Sequence, residues 1–179
     1  MLRKLLIVAC LSSLVFIAFG QKKKNGKNIA VAGAAEQLVN YKEIRAPLPP
    51  LRIFTKQGKY LTEKDLSNDA HLILMIFNPT CDHCEEQTFI LKKNIFMFDK
   101  SNLVLIAAPS MIPHLGYFTN NTKIDGYPTF KVGVDSSDYI DKTFRQITLP
   151  QINIYDRERK LVKMFYGITP IDSLKQYIN

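Results

Sequence analysis

The sequence predicts an α/β domain in which a central mixed β-sheet is flanked by helices and carries an N-terminal β-hairpin extension. Three patterns point to it. Residues 72–77 and 102–108 are almost unbroken apolar runs, as strands buried on both faces must be. Between them, residues 82–98 place Asp82, Glu85 and Glu86 first and Phe89, Ile90, Ile95, Phe96 and Phe98 later, the order expected of a helix. Nearer the C-terminus, residues 151–155 and 161–166 are strand-like runs around the polar stretch 156–160, which suits a hairpin connection. Strand, helix, strand, then hairpin, then helix requires a mixed sheet covered on both faces. The composition agrees: 179 residues, 46% hydrophobic and 22% charged, suit one domain with a sizeable core and appendages. They exclude disorder throughout, a collagen-like fibre and a polytopic membrane protein, and three cysteines are too few for a disulfide scaffold.

In chain order, residues 1–20 have the pattern of an export signal: Arg3 and Lys4, an apolar run over residues 5–19, then Ala18-Phe19-Gly20 before Gln21. The run is 15 residues long, short of the roughly 20 that span a bilayer, so cleavage after Gly20 is expected and a retained N-terminal membrane anchor is the minor alternative. Cleavage at the lipobox-like Cys10 would leave most of the apolar run behind the cut, which disfavours lipidation there. Residues 21–46 read as a basic flexible linker, and Ala46-Pro47-Leu48-Pro49-Pro50 sets an extended approach that a helix cannot occupy, so the domain is expected over 47–179. A short hairpin follows at 51–54 and 60–61 around Lys56-Gln57-Gly58-Lys59. Short helices are expected at 110–119 and 138–144, and Ile171, Leu174, Tyr177 and Ile178 share one face of a terminal helix.

The charge is concentrated ahead of the domain. The whole chain carries +8, of which the signal holds two; residues 21–46 hold +4 and residues 47–179 only +2. A nearly neutral domain gives no support for a basic patch for nucleic acid, and the lysine cluster reads as a solvated tether, with weak attachment to an anionic membrane surface as the second reading.

The chemistry sits at Cys81-Asp82-His83-Cys84. Two cysteines three apart, between a buried strand and a helix start, place the first thiol where unpaired N–H groups and the helix dipole favour thiolate. The second thiol is then within reach to resolve a mixed disulfide formed by the first, so Cys81 attacks and Cys84 resolves. A protonated His83 favours the Cys81 thiolate, whereas Asp82, Glu85 and Glu86 oppose it, and the net sign is open. Structural zinc needs four nitrogen or sulfur ligands, against two cysteines and the scattered His71, His83 and His114 beyond the signal. Glu85 after Cys84 excludes a c-type haem attachment sequence. A purely structural disulfide over so short a loop would constrain the unfolded chain little. His71 reads as a surface or capping residue, Phe89, Phe96 and Phe98 as core, and Asn120-Asn121-Thr122 as a formal glycosylation sequon.

The order Phe77-Asn78-Pro79-Thr80-Cys81-Asp82-His83-Cys84, a long middle segment, Leu149-Pro150, a hairpin and a final helix resembles the thioredoxin-like superfamily. Within it, residues 47–179 are most similar to the exported thiol-disulfide oxidoreductases of the TlpA/ResA type, through Ala46-Pro47, Gly58-Lys59, the segment 130–135 before a short helix, and the export signal. The resemblance implies a redox-active Cys81–Cys84 disulfide with no bound cofactor, a cis-proline at Pro150, protein thiol and disulfide substrates, a membrane electron-transfer partner and a periplasmic or secreted location. Gly126-Tyr127-Pro128-Thr129 also resembles a cis-proline loop. The 29 residues after Pro150 suit the expected hairpin and helix better than the 51 after Pro128.

The departures from the family are specific. Thr80 replaces the aromatic residue before the first cysteine, no tryptophan is present, and the position of the family's buried acid is Met75. Leu74 and Asn78 stand where a peroxiredoxin motif needs Pro and Thr, and His114 is the one residue placed to serve as a copper-handling variant's ligand. Reductase is favoured over oxidase or isomerase, with a binding or metal-chaperone module of the same fold as the alternative.

Overall fold

The computed structural model describes residues 39–98, 100–137, 139–144 and 148–178. The expected signal at 1–20 and residues 21–38 of the expected linker lie outside the described residues. From Arg52 onward the chain forms β1 (Arg52–Thr55), β2 (Tyr60–Thr62), β3 (Leu72–Ile76), α1 (Asp82–Lys93), β4 (Asn102–Ala107), α2 (Leu115–Thr122), β5 (Phe130–Asp135), α3 (Tyr139–Phe144), β6 (Gln151–Tyr155), β7 (Leu161–Tyr166) and α4 (Ile171–Lys175). The strands form one sheet in the order β2-β1-β5-β4-β3-β6-β7. β4 runs parallel to β3 and β5, and every other pairing is antiparallel. The predicted mixed sheet with an added N-terminal hairpin is the architecture found.

Every residue of β3 and β4 is buried, which explains their unalternating sequence. Side chains leave the sheet on alternate sides. Ile73, Met75 and Phe77 pack with Leu91 of α1, Phe118 of α2 and Leu174 of α4; Leu72, Leu74 and Ile76 pack with Ile140 and Phe144 of α3. β6 lies against the other side of β3 in the register Ile76↔Gln151 to Leu72↔Tyr155. The start of β6 and the end of β3 therefore share one end of the sheet.

Packing begins ahead of Pro47. The Arg45 N–H donates to the Leu161 carbonyl and the Leu161 N–H to the Ala46 carbonyl, both at 2.8 Å. Tyr41 packs edge-on against Tyr139 at 5.6 Å, and the Arg45 guanidinium meets Asp156 at 2.6 Å.

Two aromatic residues expected in the core lie at the surface: Phe89 is 41% exposed and Phe96 74%, while Phe98 is fully buried. The buried stripe of α1 is Cys84, Gln87, Thr88 and Leu91, and Phe89 stands off it with the Lys92 ammonium 4.9 Å from its ring. Helix α1 ends at Lys93, and the tighter 3₁₀ turn Ile95–Phe98 changes the angular phase, so α-helical spacing misplaces Phe96. The segment expected to be helical at 110–119 divides into a 3₁₀ helix, Pro109–His114, and α2. The terminal helix is likewise shorter than expected, yet Tyr177 and Ile178 still pack into the α1-side core.

Gly133 is where the added hairpin meets the sheet. A Cβ built there would lie 2.5 Å from Ile53 Cγ2 and 2.6 Å from the Phe54 carbonyl oxygen. Because one of those neighbours is backbone, Gly133→Ala is expected to destabilise the chain by about 1–3 kcal/mol, read as a lower urea midpoint. An unchanged midpoint would contradict the close approach of β1 and β5.

Candidate active site

The site is built where β3 ends. Asn78 makes a side-chain-closed turn there: its Oδ1 accepts from the Thr80 N–H and the Thr80 hydroxyl, each at 2.9 Å. The Cys81 N–H donates to the Asn78 carbonyl at 3.1 Å, which ties the cysteine to the strand end. Cys81 is the N-cap of α1 with extended backbone (φ −105, ψ 117), and its side chain makes no capping hydrogen bond. Its carbonyl accepts from the Cys84 and Glu85 N–H groups at 3.0 and 3.1 Å, starting the helix. The thiol of Cys81 therefore stands at the positive end of a 12-residue helix dipole.

Both cysteines are free thiols, but their surroundings differ: Cys81 is partly exposed and Cys84 fully buried. Cys84 belongs to the α1-side core that also holds Met75, Phe77, Phe118 and Ile152. Burial pushes its thiol well above the ordinary range; a hydrogen bond with Cys81 and the nearby Glu85 charge push the same way, against the Asn78 backbone. Glu85 is held by Asn121 of α2, whose Nδ2 donates to Oε2 at 2.5 Å. Asp82, His83 and Glu86 are exposed around the partly exposed thiol. At the position of the family's buried acid, Met75 is fully buried and apolar.

The cis peptide bond found among the described residues is Leu149–Pro150. Pro150 is buried, directly precedes β6, and its carbonyl accepts the Gly167 N–H at 2.8 Å. The register Gln151↔Ile76 brings it to the same end of the sheet as Cys81. Pro128, the competing candidate, lies in the loop before β5, whose parallel pairing with β4 puts it at the opposite end. His114 is exposed at the end of a 3₁₀ helix, and among the described residues no three His, Cys, Asp or Glu side chains gather into a metal-binding group.

Sequence reasoning missed the support behind α1. The fully buried Gln87 donates from Nε2 to the Thr169 carbonyl at 3.2 Å and accepts the Thr169 N–H at 2.6 Å, fastening α1 to the segment after β7. The Thr88 hydroxyl donates to the Cys84 carbonyl at 2.8 Å. Two adjacent polar residues on the core-facing side of a helix carried no local signal of these distant partners. The Asn78-Pro79 pair, by contrast, is a recognisable turn signal.

The buried Cys84 makes stability depend on pH. Its ordinary value is 9.0, and the native state holds the proton to higher pH. Stability from this group is complete below pH 9 and is lost as pH rises, because only the unfolded chain then releases the proton. Buried Tyr155 adds a loss of the same sign above pH 10. For the reduced protein, urea unfolding between pH 9 and 10 should show stability falling by up to about 1.4 kcal/mol per pH unit, and Cys84→Ala should flatten that slope. Equal slopes would contradict the burial.

Neither a protein-family model nor a curated protein matches the chain. Solved structures do. The thioredoxin domain of a thiol-disulfide oxidoreductase from Bacteroides vulgatus superposes with a TM-score of 0.63 at 15% identity, covering 76% of this chain and 99% of that one. StoA from Bacillus subtilis gives 0.57 at 17% identity, covering 74% and 98%. A secreted Mycobacterium tuberculosis disulfide oxidoreductase gives 0.57 at 16% identity, covering 70% and 92%. At such identities the likeness is one of architecture, and with the sheet order, the helix-capping Cys81 and the cis-Pro150 it establishes that this chain has the thioredoxin fold.

Proposed function

We propose that the protein is an exported thiol-disulfide oxidoreductase that reduces disulfides in protein substrates through Cys81 and Cys84. The observation that carries the reading is the asymmetry of the pair: a partly exposed thiol at a helix N-terminus beside a fully buried one. The Cys81 thiolate attacks a substrate disulfide, forming the Cys81–substrate bond and expelling one substrate thiolate. Cys84, after giving up its proton, attacks the Cys81 sulfur, forms the Cys81–Cys84 disulfide and releases the second substrate thiol. The substrate gains two electrons and the pair loses two, which a membrane dithiol partner restores.

Two features favour protein substrates and the reducing direction. Tyr166 and Ile168, flanking the Gly167 whose N–H binds Pro150, are exposed, as is Ile112 after β4, so an apolar rim surrounds the site end of the sheet. Three carboxylates, Asp82, Glu85 and Glu86, outnumber His83 around the pair, so the thiolate gains less and the dithiol is the better reductant. Residues 1–20 supply export, and the lysines of residues 21–46 a tether with weak affinity for an anionic membrane.

A Cys84→Ser chain expressed with its signal should accumulate disulfide-linked protein adducts that dithiothreitol releases, seen as slower bands on non-reducing gels. A Cys81→Ser chain should capture none. Absence of adducts from the Cys84→Ser chain would favour a binding or metal-chaperone module in which the cysteines turn over little.

A further inference from the structure

At the far end of the sheet from the cysteines, strand pairing stops early. β1 pairs with β5 only through Gly133, Val134 and Asp135, and the chain then turns at Lys56–Lys59 back into β2. Phe130, Lys131 and Val132, the first half of β5, have β4 on one side and, among the described residues, no strand on the other. The notch left there is a cavity of about 340 Å³, within the size range of small-molecule sites. The hairpin turn and Leu61 wall one side, and residues 124–128 the other.

The lining is apolar with an excess of positive charge. Leu61, Tyr127, Pro128 and Val132 supply the accessible apolar surface, with Tyr127 edge-on to the buried Phe130 at 6.4 Å. Three lysines, Lys56, Lys59 and Lys131, face one carboxylate, Asp125. That carboxylate is already engaged: Lys56 Nζ donates to Asp125 at 2.5 Å and to the Thr119 hydroxyl at 2.7 Å. Lys131 is half-buried and Lys59 exposed, and neither has a carboxylate partner among the described residues. Burial lowers the Lys131 pKa, the mark of an ammonium that has lost water without gaining a counter-charge.

We infer that this notch binds a small organic carboxylate with an apolar body, its anion set against Lys131 and Lys59 and its body against Tyr127, Leu61 and Val132. The cavity's volume suits a small molecule, and the two ammonium groups without a carboxylate partner favour a negative one. The site lies at the start of β5, whereas the cysteines follow the end of β3, so occupancy does not need the dithiol.

The test uses the full 179-residue chain, ¹⁵N-labelled, titrated with 4-phenylbutyrate and with neutral 4-phenylbutyramide. The carboxylate should move the amides of Phe130, Lys131, Val132, Ile124 and Asp125. The amide analogue, and the carboxylate with Lys131→Met or Lys59→Met, should each bind at least about tenfold more weakly. Lys59 is on the exposed turn, so its variant keeps the test open if the half-buried Lys131 change impairs folding. Disulfide reduction by both lysine variants should match the parent. Absence of shifts at millimolar carboxylate, equal binding of the neutral amide, or unchanged binding by both lysine variants would overturn the inference.

Discussion

The antiparallel register of β6 on β3 is the constraint on which the site depends. With Ile76 opposite Gln151, Pro150 is delivered to the sheet end from which the chain leaves toward Cys81. The register is held by burial on two faces. Ile152 and Ile154 of β6 enter the core that contains Cys84, while Tyr155 enters the opposite one. A slip by one residue would exchange those faces and bury Gln151 and Asn153 among the residues around Leu91 and Phe118. In the native register Gln151 and Asn153 lie on the other face, where Gln151 Nε2 donates to Asn153 Oδ1 at 2.9 Å.

Once that register is set, the remaining geometry is local. The Asn78 turn ends β3 and hands Cys81 to the N-cap, the helix places Cys84 one turn further along and inward, and Gln87 fixes the helix against Thr169. The two thiols thus meet different media: one faces solvent and the helix dipole, the other a packed core that disfavours its charge. The roles proposed for the two sulfurs, attack by one and resolution by the other, rest on that difference in medium more than on any difference in the residues themselves.

Much of this was legible in the sequence because the informative signals were local. The apolar runs of β3 and β4, the hairpin around residues 156–160 and the Cys-x-x-Cys at a strand-to-helix junction each lie within a short window. Chain length favours Pro150 over Pro128, and the cis bond lies at Leu149–Pro150, with Pro128 at the opposite end of the sheet. Helical phase is what the sequence pattern misplaces: it turns Phe89 and Phe96 inward, whereas the helix ends at Lys93 and its buried stripe includes the polar Gln87 and Thr88. Those polar residues are tolerated because their partners, Thr169 and the Cys84 carbonyl, satisfy them, and the Thr169 contact is remote in sequence. The notch beside β5 was equally invisible, since it arises from where β1 stops pairing.

The most direct test of the proposed chemistry is the reduction potential of the Cys81/Cys84 couple, obtained by equilibrating the protein in graded thiol-disulfide buffers and counting free thiols. A reductase requires a single two-electron transition near or below about −250 mV, on the reducing side of the range for this fold. A potential above about −180 mV would contradict the reducing direction and assign the pair to an oxidase or isomerase.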